Sequence, residues 1–163
     1  MTKTLLVVFH SMTGGTRQMA GAAARAAEGQ GVHVRLLEAR EATAGDLLGA
    51  DGYVFAMPEN LAAIAGMMKD FFDRTYYAAL GRIEGRPYAL MVCAGSDGSN
   101  AARQAARIAT GWRLRGIAEP LIVCTHAQTP EAILAPKVIG AEDLARCEEL
   151  GATLAAGMAI GMF

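Results

Sequence analysis

The sequence lacks the features typical of extracellular, membrane-spanning or nucleic-acid-binding proteins. Its three cysteines, Cys93, Cys124 and Cys147, are an odd number without close spacing, which excludes a disulfide framework and fits a reducing cytoplasm. No apolar run approaches the roughly 20 residues that a bilayer crossing needs. The formal net charge of −1 excludes any general attraction to nucleic acid or anionic membrane. We therefore predict a cytoplasmic protein with no nucleic-acid or membrane partner, in which Cys93 and Cys124, each at the end of an apolar run, are buried free thiols.

The composition is that of a well-packed globular chain. Hydrophobic residues make up 53% and charged residues 19% of the 163 positions, enough for one domain with a sizeable core and too few for two. We therefore treat residues 1–163 as a single domain. Short apolar runs alternate with helical patterns, which indicates a three-layer, doubly wound α/β fold with a five-stranded parallel sheet. The predicted strands are Leu5–Phe9, Val32–Leu37, Tyr53–Met57, Pro87–Cys93 and Pro120–Thr125.

The helix after the third strand has the strongest helical periodicity in the chain. One apolar stripe follows the spacing i, i+3, i+4, i+7, i+8, while charged residues occupy the other faces. The spacing predicts a core-facing helix rather than a cofactor-binding motif. The stripe consists of Ile64, Met67, Met68, Phe71, Phe72 and Thr75.

The turn after the first strand predicts an anion site. A buried strand runs through hydroxyl residues and glycines into a helix N-terminus, where free N–H groups and the helix dipole favour an anion. The turn has neither the lysine of a nucleoside-triphosphate loop nor the G-x-G-x-x-G spacing of a dinucleotide site. Its hydroxyls suit the terminal monophosphate of a small cofactor, and the alternative is an ordinary capped turn between strand and helix. The predicted phosphate loop comprises Ser11, Met12, Thr13, Gly14, Gly15 and Thr16.

This loop resembles the S/T-x-T-G-x-T loop with which flavodoxins and their relatives hold the phosphate of FMN. Gly15 stands where many flavodoxins carry Asn. The stretch MPENLAAIAGMMKDFFDR, which follows the third strand, is similar to the segment that lines the flavin ring in the same family. Many relatives have an aromatic residue or glycine at the positions of Leu61 and Ala62. The resemblance implies ring contacts from Pro58, Glu59, Asn60 and Leu61.

The loop after the fourth strand contains small residues and an Asp-Gly turn. Such a loop lets backbone N–H groups approach a planar ligand closely. The alternative is a surface turn that caps the next helix through Ser99 or Asn100. By resemblance to flavodoxins, this loop faces the N1 and C2 side of the flavin, and it comprises Ala94, Gly95, Ser96, Asp97 and Gly98.

The resemblance covers residues 4–160 and identifies a flavodoxin-like, FMN-binding protein related to the NAD(P)H-dependent flavin and quinone reductases of the WrbA group. It implies the strand order 2-1-3-4-5, with the ligand crevice at the carboxyl ends of strands 1 and 3. It further implies NAD(P)H as co-substrate, a quinone or flavin as small-molecule acceptor, and a homodimer or homotetramer. The flavin carries the two-electron chemistry, so we predict no catalytic side chain and no metal ligand.

Two other functions are compatible with the same motifs. One is a one-electron carrier, a true flavodoxin, although such carriers usually dock through a strongly acidic face that this chain lacks. The other is a non-enzymatic ligand-binding domain, compatible with aliphatic Leu61 and Ala62 and with Gly15 in place of Asn.

Overall fold

A computed structural model describes all residues, 1–163, and shows a parallel β-sheet between two layers of helices. The central order is β2-β1-β3-β5, and two short strands, β6 and β7, both pair with β5 on its outer side. A further short strand, β4, pairs antiparallel with the end of β3. The strands are β1 (Thr4–Phe9), β2 (His33–Glu38), β3 (Gly52–Asn60), β4 (Ala63–Ile64), β5 (Pro87–Ala94), β6 (Arg115–Gly116) and β7 (Leu121–Cys124).

Helices cover both faces of the sheet, as a parallel sheet requires. Helices α1 and α6 pack against each other on one face, and α3 and α4 contribute to the core on the other. Two short helices complete the chain. The helices are α1 (Gly15–Glu28), α2 (Ala44–Gly49), α3 (Gly66–Ala79), α4 (Ser99–Gly111), α5 (Pro130–Leu134) and α6 (Ala141–Ala159).

The first strand shows why this sequence forms a two-sided sheet. Leu5, Val7 and Phe9 belong to the core under α1 and α6, whereas Leu6 and Val8 belong to the core under α3 and α4. Successive strand side chains point to opposite faces, so an unbroken apolar run is needed where both faces are covered. All five side chains are 3% exposed or less.

The predicted doubly wound fold and the order of its five main strands are confirmed. The one difference in the sheet lies at its edge, where the fifth position is shared by β6 and β7 with residues 117–120 between them. None of the helices is both long and apolar enough for a bilayer crossing.

Three predictions from residue patterns are wrong in detail. Ile64 is buried but lies in β4, because α3 begins only at Gly66. Met67, in the first turn of α3, is 40% exposed, and the buried stripe starts at Met68. Cys124 is half-buried rather than buried, because the edge strand β7 is covered incompletely.

Candidate functional site

A cleft of about 500 Å³ opens at the carboxyl ends of β1, β3 and β5. Parallel strands end at the same edge of the sheet, so the loops that follow them converge there. The chain segment after β7 adds a further wall. The lining residues are Met12, Thr13, Gly15, Thr16, Pro58, Glu59, Asn60, Leu61, Cys93, Ala94, Gly95, Ser96, Thr125, Ala127, Gln128, Ile133 and Lys137.

One end of the cleft, the loop end, is formed by residues 11–16 and by a segment that we call the strap, residues 125–139. Gly14 has φ +95°, a left-handed conformation that glycine adopts without strain, and its N–H donates to Ser11 Oγ at 3.1 Å. The backbone N–H groups of Gly15, Thr16 and Arg17 donate to no protein atom. The start of α1 therefore presents unpaired donors to the cleft.

Gly15 is required by close packing beneath this loop. A Cβ atom at Gly15 would lie 2.8 Å from Cys93 Sγ, well inside van der Waals contact. Cys93 is buried at the end of β5, and burial raises the pKa of its thiol to about 11, so the thiol is protonated at neutral pH. The site therefore offers no thiolate nucleophile at this position.

The other end, the hairpin end, is formed by residues 58–64 and by residues 94–98. The sequence predicted that the third strand ends at Met57, but β3 continues to Asn60 and enters a two-residue β-hairpin in which Asn60 pairs with Ala63. Its turn residues, Leu61 and Ala62, have φ values of 51° and 61°, and the Leu61 side chain is fully exposed. Positive φ at both central residues is the geometry of the hairpin turns that favour Asn-Gly.

Side chains tie the hairpin to α4. The Glu59 carboxylate accepts hydrogen bonds from the N–H groups of Gly98 and Ala101, each at 3.0 Å. Ile64 N donates to Gln104 Oε1 at 3.0 Å, and Asn100 Nδ2 donates to the carbonyl of Ala62. The N-cap residue Gly98 has no side chain to cap α4, so Glu59 caps the helix in its place, and its charge lies favourably at the positive end of that helix.

The loop after β5 leaves donors free on the cleft side. The N–H groups of Gly95 and Ser96, which both line the cleft, donate to no protein atom. A Cβ atom at Gly95 would lie 3.1 Å from the carbonyl oxygen of Ala127, which explains the small residue there. The Asp97 side chain is turned away and accepts from Ser99 N at 3.1 Å, and hydrogen bonds from Ser99 lower the pKa of its carboxyl.

Most of the predicted site residues lie together around the cleft. The exceptions are Ser11, Gly14, Asp97 and Gly98, which do not line it. Ser11 and Gly14 form a hydrogen bond with each other within the loop. The Gly98 N–H was expected to be free for a ligand, but it donates to the Glu59 carboxylate. Glu59 lines the cleft, but its carboxylate is engaged by α4.

Residue patterns gave no indication of the strap. Lys137 Nζ lies 3.4 Å from Thr13 Oγ1, and Lys137 N donates to the Thr13 carbonyl at 2.9 Å. These partners are 124 residues apart in the chain. The sequence signals in this region, a Thr-Pro helix start and a lysine after a proline, are those of an ordinary connection. Only the three-dimensional arrangement brings a cation to a loop that contains no lysine.

Comparison with known proteins places this geometry in a family. Residues 4–120 match the family model described as NADPH-dependent FMN reductase, which covers more than half of the chain. The chain belongs to the NADPH-dependent FMN reductase family. A curated relative, a flavodoxin from Aquifex aeolicus, is 37% identical over 83 residues, which are 50% of this chain and 45% of that protein. The match thus spans less than half of that relative's length.

Solved structures with the same fold include two flavodoxin-like proteins. Flavodoxin 1 from Bacillus cereus superposes with a TM-score of 0.75 at 20% identity, covering 93% of this chain and 97% of that chain. The WrbA-like flavodoxin from Agrobacterium tumefaciens gives a TM-score of 0.68 at 18% identity, covering 98% and 99%. At such low identity these similarities establish the flavodoxin-like fold.

The cleft residues fit the cofactor of this family. Unpaired N–H groups at the start of α1, with the Lys137 ammonium beside them, are a donor set for a phosphate monoester. Glycine at position 95 and the free N–H groups after it leave room and donors for the edge of a planar ring. The chemistry of both ends is therefore compatible with FMN, with its phosphate at the loop end.

Proposed function

We propose that this protein is an FMN-dependent oxidoreductase that takes two electrons from NAD(P)H and passes them to a quinone or flavin. The observation that carries the proposal is the presence of unpaired hydrogen-bond donors at both ends of one cleft, in a chain of the NADPH-dependent FMN reductase family. A cytoplasmic location and a homodimer or homotetramer belong to the same proposal, as in the family that the sequence resembles.

At the loop end, the protein holds the phosphate. The unpaired backbone N–H groups of Gly15, Thr16 and Arg17 lie in the first turn of α1, where the helix dipole also favours negative charge. Thr16 is 2% exposed and its hydroxyl has no hydrogen-bond partner within the protein, so it is available to a ligand oxygen. These groups fix the cofactor without any side-chain base or nucleophile.

At the hairpin end, the protein orients the ring and leaves a face open. Bound FMN supplies the hydride-accepting chemistry. The N–H groups of Gly95 and Ser96 provide donors for ring oxygen and nitrogen atoms, and such donors favour an electron-rich ring. No aromatic side chain lines the cleft, and aliphatic residues such as Leu61 lie at its mouth instead. A nicotinamide or a quinone therefore has access to the ring.

The first experiment is anaerobic addition of NADPH, and then of NADH, to purified protein loaded with FMN, followed by visible absorbance. We expect the flavin to be reduced directly by two electrons and reoxidised when a quinone or free flavin is added. Absence of NAD(P)H oxidation with every acceptor tested would refute the reductase. Failure to bind added FMN would refute the cofactor assignment as well.

A matched pair of variants tests the site itself. Thr16→Val removes only the cleft hydroxyl, and we expect the dissociation constant for FMN to rise about tenfold because one hydrogen bond to a charged group is lost. Thr110→Val removes an exposed hydroxyl whose only partner is the Ala106 carbonyl in α4, so FMN binding should be unchanged. Equal effects of the two substitutions would contradict the assignment of the phosphate to this loop.

The curated relative favours one second candidate, a one-electron carrier, because that protein from Aquifex aeolicus is a flavodoxin. A carrier would ignore both nicotinamide nucleotides and accumulate one-electron-reduced flavin during titration with dithionite. The same anaerobic titration therefore separates the two candidates.

A further inference from the structure

Lys137 is the only basic residue that lines the cleft, and it has no carboxylate partner. The only acidic residue of the lining, Glu59, is hydrogen-bonded to the start of α4. Lys137 Nζ instead contacts Thr13 Oγ1 in the phosphate loop and the carbonyls of Ile133 and Ala135. A half-buried ammonium without a counter-ion, beside unpaired N–H groups, is a suitable partner for an anion.

The strap holds this ammonium in place through Gln18. Gln18 Nε2 donates to the carbonyls of Gly14 and Lys137, at 2.9 and 2.7 Å, and its Oε1 accepts from Ile139 N at 2.9 Å. The Gln18 side chain thus joins the phosphate loop to Lys137 and Ile139, the two residues on either side of Val138. Ile139 is buried under the loop, which anchors the end of the strap in the core.

The strap lies outside the part of the chain that the family model matches, which ends at residue 120. The phosphate loop therefore belongs to the matched region, whereas the cation beside it comes from a segment beyond it. The loop itself contains no positive charge, and Arg17, which follows it, is exposed and pairs through its guanidinium with Glu38 at 2.7 Å. Lys137 adds a charge that the loop itself does not provide.

We propose that Lys137 contacts the phosphate group of the flavin and sets a preference for FMN over riboflavin, with Gln18 as the residue that positions the strap. This inference rests on the proposed binding of FMN. The alternative role for Lys137 is structural, since its bonds to the carbonyls of Ile133 and Ala135 also stabilise the end of α5. The two roles differ in one respect, because a structural role affects both flavins equally.

The test is the dissociation constant of FMN and of riboflavin, each measured from flavin fluorescence, for wild type and three variants. Lys137→Gln removes the charge, and Lys137→Arg retains it. Lys3→Met is the matched control, because Lys3 is an exposed lysine at the opposite end of β1, paired with Asp51. Thermal unfolding of each variant without flavin identifies any loss of folding.

We expect Lys137→Gln to weaken FMN binding about tenfold and to leave riboflavin binding unchanged, as loss of one charge-assisted contact at a half-exposed site predicts. Lys137→Arg should keep most of the preference for FMN, and Lys3→Met all of it. The inference would be overturned if the ratio of the two dissociation constants were unchanged in Lys137→Gln, whether neither constant changed or both rose equally. The proposal that the protein binds FMN would still stand in that case. If wild type bound neither flavin, the proposed function would fail and this inference with it.

The strap provides a second measurement that does not depend on altering Lys137. Gln18→Met keeps the lysine and its contacts with Thr13 but removes the Gln18 hydrogen bonds that join the strap to the loop. We expect a smaller loss of the preference for FMN than in Lys137→Gln. Full retention of the preference would contradict a positioning role for Gln18, and weaker binding of riboflavin as well as FMN would indicate a structural role alone.

Discussion

The two ends of the cleft are built by different means. The loop end is joined by bonds between residues 119 to 124 positions apart, from Gln18 and Thr13 to the strap. The hairpin end is joined by bonds between residues 38 to 42 positions apart, chiefly from Glu59 to the start of α4. The loop end leaves its ammonium without a carboxylate partner and its N–H groups unpaired, whereas the hairpin end uses the carboxylates of Glu59 and Asp97 internally.

The difference indicates how the cleft orients a ligand. An anionic group finds unpaired donors and a cation at the loop end, and an acidic side chain already committed at the hairpin end. Electrostatic complementarity of this kind sets orientation and specificity more than affinity. Substitutions at the two ends should therefore have separable effects, which the following predictions test.

The largest expected effect is at the loop end. Gly15→Ala should lower the free energy of unfolding by about 2 kcal/mol, because the added methyl group overlaps Cys93 Sγ. Cys93→Ala in the same chain should recover about half of that loss or more, since the two residues are in contact and their effects are not additive. A double-mutant cycle in urea measures the coupling, and additive effects would contradict the close packing.

At the hairpin end, Glu59→Ala should lower the free energy of unfolding by about 1.5 kcal/mol, because α4 loses two capping hydrogen bonds and a favourable charge at its N-terminus. The matched control is Glu142→Ala, an exposed acid in the first turn of α6 without a side-chain hydrogen bond, for which we expect about 0.5 kcal/mol or less. Urea unfolding measures both, and similar losses would mean that Glu59 contributes only its charge.

A smaller effect of opposite sign is expected at the hairpin turn. Replacing Leu61 and Ala62 by Asn and Gly should stabilise the protein by about 1 kcal/mol, because both positions have positive φ and Asn-Gly adopts that turn with less strain. The same pair at Ala78 and Ala79, in the last turn of α3, should destabilise it. Thermal unfolding measures both changes, and destabilisation by the turn substitution would contradict the conformation described.

The smallest effect concerns pH at the loop end. Burial lowers the pKa of His10, which follows β1, although nearby Glu38 opposes the shift. The folded protein therefore binds a proton at His10 less readily than the unfolded chain, so this contribution to stability is present above pH 6.5 and is lost as the pH falls. The loss of stability between pH 7.5 and pH 5.5 should be smaller in His10→Gln, and unchanged in His33→Gln, which replaces an exposed histidine.

The sequence was sufficient to predict the sheet in outline and the turn of residues 11–16 between β1 and α1. An apolar run such as Leu5–Phe9 indicates a strand covered on both faces. The glycines and hydroxyl residues directly after that strand indicate a turn into a helix. The hairpin could not be predicted, because Leu61-Ala62 lacks the Asn-Gly signal of a two-residue turn. Met67 was misplaced because periodicity alone does not fix where a helix begins.

The contribution of distant segments to the cleft was the least predictable feature. Nothing near Lys137 in the sequence indicates a partner at Thr13, since the contact depends on how the strap crosses the ends of the strands. Glu59 was expected at the flavin ring from the family resemblance, and the structure places it in the lining of the cleft. Its hydrogen bonds to α4 became visible only when the hairpin and helix were placed together.

The bond between the strap and the phosphate loop also has a consequence for synthesis. During translation, the region matched by the family model is synthesised before residue 137. More than a hundred residues are therefore added after the phosphate loop before Lys137 can contact it. The phosphate loop can form early, but the charge that completes its end of the cleft arrives late. Cofactor capture and final docking of the strap are therefore expected to be late, coupled events in folding.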